Sequence, residues 1–300
     1  MTLKKVIIGN ERIGDMLEKS YKSGKLSHAY LFEGSDHIGK KTLAIEFSSL
    51  LLNDKSSNIE NNVDFIILFP DEDKKQIIIE QIRNLEKKLS LYPFSSKYKV
   101  VIIEQAEKMT KSAANALLKT LEEPSKTTIL MLLTSNSKNI LDTIKSRCQI
   151  MKFLPVKRAT LEDFVKSKTS NQIVPDEIIE LSGYKPGKIV ELINDKNKRE
   201  DFLKTIDKIS NIARKSDIEK IDEAEIISQK DPEEIINILN LWTIYFRRTL
   251  INVYEENNEK QKRDLIVAKR RVDLINKTRE DILTKNINVK LAIENLVLKI

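Results

Sequence analysis

Cysteine occurs once in this sequence, at position 148, and a lone thiol excludes an intramolecular disulfide and any zinc site built from several cysteines. Glycine and proline are scarce too, seven of each in 300 residues, and aromatic residues make up only 6%. A chain of many short strands and tight turns needs more of these, so an all-β architecture is disfavoured against a helix-rich one. No apolar run approaches the roughly 20 residues that cross a bilayer. The opening Met1-Thr2-Leu3-Lys4-Lys5 has no signal-peptide core, so the expected location is the cytoplasm, with no membrane partner.

What is present suffices for two or three compact domains, since 40% of the residues are hydrophobic and 32% charged. The net charge of +7 admits a polyanionic partner. Lysine, isoleucine and asparagine are abundant along the whole chain, however, and charge alone does not identify nucleic-acid binding. Beyond residue 200 acidic and basic residues nearly balance, so the positive excess lies upstream.

Apolar runs at residues 28–33, 63–69, 99–104, 128–135 and 149–154 read as buried strands. Between them, Ile78, Ile82, Leu85 and Leu89 share one helical face, as do Ala114, Leu117, Leu118 and Leu121 before the stop at Pro124. Alternating strands and helices predict a parallel sheet covered on both faces. After Pro155 the strand pattern ends, and 160–168, 175–181 and 186–193 read as short helices. Residues 195–201 are a charged link or the exposed face of a connecting helix, and everything beyond has helical periodicity.

Chemistry concentrates at GSDHIGKKT, residues 34–42, which follows a predicted strand and opens a helix. In a phosphate-binding loop the glycines let backbone N–H groups turn toward an anion, the helix N-terminus adds its dipole, and a lysine reaches the β and γ phosphates. Gly34, Gly39 and Lys40 fill those positions. The next residue should carry a hydroxyl for Mg²⁺, yet it is Lys41, and Thr42 lies about 100° further round the helix. Taken alone, the pattern is equally a glycine-punctuated turn with incidental lysines. The second acidic site expected at a strand end, one carboxylate for metal and one to polarise water, is Glu104 and Gln105 here. Glu104 can reach a cation, but an amide cannot act as general base.

Taken together, HAYLF at 28–32, AANALLKTLEEP at 113–124, TSN at 134–136 and SRC at 146–148 resemble the AAA+ subunits of bacterial clamp loaders. LAIENLVL at 291–298 is similar to the end of their collar domain. A degraded ATP site beside a retained Ser146-Arg147-Cys148 resembles the delta-prime class of these subunits. The resemblance implies a RecA-like AAA+ parallel-sheet domain at 1–155, a small helical lid at 156–200 and a helical collar for oligomerisation at 201–300. It also implies gamma/tau and delta subunits as partners and, through the assembly, the sliding clamp and primer-template DNA. Arg147 corresponds to an arginine finger offered in trans, flanked by Ser146 and Cys148, and Asn136 to a sensor residue reduced to a structural role. Relatives usually carry a four-cysteine zinc module, whereas residues 52–62 contain neither cysteine nor histidine, so no zinc is expected.

The chain itself is expected to lack ATPase activity, while weak ATP or ADP binding stays open. Two alternatives stand beside this reading: an active P-loop ATPase of gamma/tau type using Glu104 for metal, and a stand-alone DNA-binding AAA+ protein. Lys188, His28, His37 and the run Lys269-Arg270-Arg271 read as ordinary solvated or isolated groups.

Overall fold

The computed structural model describes residues 3, 6–54, 58–168, 176–255, 261–285 and 287–300. Its contacts divide the chain into two compact units, one of residues 1–172 with 184–188, the other of residues 173–183 with 189–300. The helices expected as a separate lid fall on both sides of this division. The first of them stays with the sheet, and the second joins the C-terminal helices.

The first unit holds strands β1 (Ala29–Glu33), β2 (Phe65–Leu68), β3 (Lys99–Ile103), β4 (Thr128–Thr134) and β5 (Gln149–Lys152). They form one sheet in the order β2-β3-β4-β1-β5, with every pairing parallel. Every residue of β3 and β4 is buried, as expected for parallel strands covered on both faces. Period-two alternation then sorts the side chains. Leu31, Val101, Ile103, Leu130 and Leu132 join one core cluster with Ile82 and Leu85 of helix α3 (Ile79–Leu89) and Ala113, Ala114, Leu117 and Leu121 of α4 (Lys111–Glu122). Tyr30 and Phe32 point the other way, Tyr30 meeting Phe47 edge-on at 5.8 Å. In chain order the remaining helices of this unit are α1 (Glu11–Lys22), α2 (Lys40–Leu52), α5 (Asp142–Lys145) and α6 (Arg158–Lys168).

A buried carboxylate ties the loop before β3 to the sheet. Asp64, fully buried, accepts backbone N–H bonds from Phe94, Ser95 and Ser96 at 2.7–2.9 Å. Burial pushes its pKa up, but these N–H groups and the Ser95 hydroxyl outweigh that and leave it below the usual carboxylate value.

The second unit is helical: α7 (Asp176–Leu181), α8 (Pro186–Asn194, shared at its first turn with the first unit), α9 (Lys196–Asn211), α10 (Asp217–Ser228), α11 (Pro232–Glu255), α12 (Gln261–Thr284) and α13 (Val289–Lys299). The charged stretch 195–201 is the start of α9, with the Asp195 carboxylate capping it by accepting from Lys198 N–H at 3.0 Å. Ile209, Ala224, Leu239, Trp242, Phe246, Ile275, Ile293 and Leu296 form its core. No described helix is long and apolar enough to cross a membrane. Residues 169–175, where the second short helix was expected to begin, lie outside the described residues, as do residues 55–57 of the segment expected to lack zinc. Among the described residues no cluster of three or more metal-ligating side chains occurs.

Candidate functional site

The phosphate-loop segment sits at the C-terminal end of β1, where open parallel sheets hold their ligands. Gly34 continues the sheet by donating its N–H to the Thr134 carbonyl at 3.2 Å. A Cβ there would meet Phe153 at 2.8 Å, so glycine is required by packing irrespective of any anion. Gly39 caps α2 at φ +103, a conformation open to glycine, and no side chain caps that helix. The first N–H groups of α2 are therefore left to the loop itself or to an anion. His37, at φ +61, offers its carbonyl to Gly187 N–H at 2.8 Å, where a Cβ on Gly187 would also press at 2.8 Å.

The two lysines of the loop do different things. Lys40 is 8% exposed and folds back, its Nζ donating to the carbonyls of Gly34 and Ser35, the latter at 2.8 Å. Burial lowers its pKa, the nearby carboxylates of Asp36 and Glu107 oppose that, and Lys185 adds to it. Lys185 is itself lowered by burial, with Asp36 opposing and Lys188 contributing. Lys41 extends to the acidic strand end, its Nζ 2.8 Å from Glu104 Oε1 and 5.2 Å from the centre of the Phe69 ring. Glu104 Oε1 is buried and has no hydrogen-bond partner, so its contact with Lys41 is ionic. Thr42 is exposed on α2.

At the other half of the expected acidic pair, Gln105 is exposed and takes φ +49 as the chain leaves β3. Glu107 was not anticipated. The turn at Ala106–Lys108 brings its Oε1 to the Ser135 hydroxyl at 2.6 Å, while Oε2 is buried without a hydrogen-bond partner and its charge reaches Lys40. Its spacing of three from Glu104, just past a strand, was the available signal. Asn136 accepts from Lys138 N–H and caps the turn at Ser137–Asn139.

A nucleotide-bound Mg²⁺ needs oxygen ligands in this region. The residues do not fit that ion: the position after Lys40 carries an ammonium, and this ammonium already meets the orphaned oxygen of Glu104.

Arg147 follows the short helix α5. It pairs with Glu122 at 2.9 Å and donates to the Thr143 carbonyl at 3.0 Å, while its side chain is 35% exposed. Ser146 donates to the same carbonyl at 3.0 Å. Cys148 packs against the sheet core, and burial raises its thiol pKa to about 12, so it remains protonated. The motif therefore presents one cation at the surface and anchors it from behind.

The sequence family described as DNA polymerase III, delta subunit, matches residues 9–157. The DNA polymerase III subunit delta' of Bacillus subtilis is 36% identical over 165 residues, covering 51% of this chain and 50% of that protein. Its counterpart in Pseudomonas aeruginosa is 35% identical over 176 residues, covering 53% and 54%. The chain thus spans about half the length of the curated relatives it matches. A solved DNA polymerase III gamma-subunit-related protein from Thermotoga maritima superposes with a TM-score of 0.48 at 20% identity, covering 94% of this chain and 97% of that one.

Proposed function

We propose that this chain, whose residues 9–157 match the DNA polymerase III delta-subunit family, serves as a delta-prime-type subunit of a bacterial clamp loader. Its own nucleotide site is inactive, and Arg147 completes the site of a neighbouring ATPase subunit. The observation that carries this reading is the pairing of Lys41 with Glu104, together with the outward, uncharged Gln105. A site without metal hydroxyl, free metal carboxylate or general base has lost the parts that cleave a γ-phosphate.

Arg147 is the group left to contribute to hydrolysis. A guanidinium is always charged and forks toward phosphate oxygens, so across a subunit boundary it would neutralise charge developing on a neighbour's γ-phosphate. The partners on this reading are gamma/tau and delta subunits, with the sliding clamp and primer-template DNA reached through the assembly in the cytoplasm. The lid and collar divisions at 156–200 and 201–300 belong to the same proposal.

Two measurements test it. The purified chain should join gamma/tau and delta subunits of the same bacterium in a stable complex, and by itself it should show negligible Mg²⁺-dependent ATP hydrolysis. Failure to assemble would refute the subunit assignment. Turnover by the lone chain near 1 s⁻¹, an ordinary enzyme rate, would refute the inactive site and install Glu104 as a metal ligand.

A further inference from the structure

The mismatch between this loop and a divalent ion has a specific cause. Glu104 stands at the end of β3 with Oε1 buried and unbonded, a ligand atom that a cation would take readily. The cation it has is Lys41 Nζ at 2.8 Å. The ammonium lies over the Phe69 ring, 5.2 Å from its centre, so cation–π attraction adds to the charge of Glu104 in holding it. Beside it, Lys40 is turned onto the Gly34 and Ser35 carbonyls, with its Nζ 3.9 Å from Asp36 Oδ1, and feels the charge of Glu107. The Glu104 carboxylate at this strand end is thus balanced by a lysine of the loop.

We propose that Lys41 is a built-in cation that stands in for the divalent metal at Glu104, and that its presence alone makes the phosphate loop blind to Mg²⁺. The proposal rests on reading residues 34–42 as a phosphate loop and goes beyond the loss of hydrolysis. Its consequence is that one substitution restores metal sensing. Lys41→Thr supplies the missing hydroxyl and frees the Glu104 carboxylate, so metal-assisted phosphate binding returns without any change at Gln105. Hydrolysis does not return, because the general base is still absent.

Charge fixes the direction. With Lys41 present, Mg²⁺ arriving on a nucleotide meets an ammonium at its ligand, and like charges in a partly desolvated site repel. With threonine present, the same ion meets a carboxylate and a hydroxyl. The Lys41 side chain is 47% exposed, so its replacement leaves the fold intact.

Binding of fluorescent ADP and of a non-hydrolysable ATP analogue to the full chain, each in Mg²⁺ and in EDTA, tests this. In Lys41→Thr, Mg²⁺ should tighten binding at least tenfold relative to EDTA, and Glu104→Gln added to that variant should erase the gain. In the wild-type chain, Mg²⁺ should change nucleotide affinity less than twofold or weaken it. Lys41→Ala, which frees Glu104 without adding a hydroxyl, should fall between the two. Equal binding by Lys41→Thr in Mg²⁺ and EDTA would overturn the assignment to Lys41 while leaving the phosphate loop standing. No nucleotide binding by Lys41→Thr under either condition would overturn the loop reading as well, and a tenfold Mg²⁺ enhancement in the wild-type chain would overturn the stand-in role directly. None of these results touches assembly with partner subunits, which is measured separately.

Discussion

Replacing Arg147 with alanine separates what this residue does for its own chain from what the proposal has it do for a neighbour. Within the chain its contacts are an ion pair with Glu122 at 2.9 Å, with side chains 35% and 52% exposed, and a bond to the Thr143 carbonyl. Exposed ion pairs of this kind contribute about 0–1 kcal/mol, so melting should fall by only a few degrees, roughly 2–4 °C per kcal/mol at domain sizes of 150–250 residues. Across a subunit boundary the scale differs. Arginine fingers accelerate phosphoryl transfer by about 10³–10⁵ where they have been measured, which is about 4–7 kcal/mol of barrier.

Leaving Glu122 to reach a phosphate therefore costs little against what the contact returns. The assay is a loader reconstituted with wild-type or Arg147→Ala chain, reading DNA- and clamp-stimulated ATP hydrolysis and clamp loading in parallel. Total hydrolysis should fall modestly, because other sites keep their fingers, and clamp loading should fall further. Arg147→Lys should rescue partly, since an ammonium lacks the planar fork. Glu122→Gln, which releases the guanidinium, should preserve both rates. Unchanged hydrolysis and loading in Arg147→Ala would reduce Ser146-Arg147-Cys148 to a structural motif.

Asp64→Ala leaves the N–H groups of Phe94, Ser95 and Ser96 without their charged acceptor, and chemical denaturation should register a loss of about 2–4 kcal/mol, lessened by water reaching the exposed loop. Because the folded pKa of Asp64 is depressed, its stabilisation is present above the unfolded carboxylate value near 3.9 and disappears as pH falls through the folded value; acid unfolding should therefore begin at higher pH in a variant lacking it, and identical acid transitions would contradict the assignment. Cys148, protonated and packed on the core, should react with thiol reagents at neutral pH far more slowly in the native chain than in urea, and equal rates would contradict its burial. A chain ended at residue 200 should keep the sheet but fail to enter the loader, which gel filtration with the partner subunits would decide.

The strands were legible because a doubly covered parallel sheet writes its burial as continuous apolar runs: VVII and ILMLL leave little else to be. The run at 149–154 ends as a strand at Lys152, since Phe153 leaves the ladder after one last bond to the Glu33 carbonyl and packs on Phe32. Less legible was the helical half. Trp242 and Phe246 of α11 lie in their own unit's core, because α12 runs along α11 and supplies the partner face. Periodicity names a buried face without naming what buries it. The exposed apolar residues are others, Ile218, Ile266, Leu283 and Leu291 among them. At the site, the loop lysines and the loss at Gln105 were readable position by position. The ionic contact of Lys41 with Glu104 and the arrival of Glu107 beside Ser135 were not, since both depend on which strand ends the sheet order brings together.

Gly187 carries a lesson about modularity. The match to the sequence family ends at residue 157, after the last strand, and invites the view that an interchangeable cassette ends there. Yet the carbonyl of His37, at the heart of the loop, takes its N–H donor from Gly187, and Val156 donates to Tyr184. Inheritance and folding thus draw their borders in different places. A graft of residues 9–157 into a relative would import the loop without its buttress and set it against a foreign residue at the position of Gly187. Any side chain there, even a methyl group, would strike the His37 carbonyl, so a transplant that keeps the native loop must bring residues 184–188 with it.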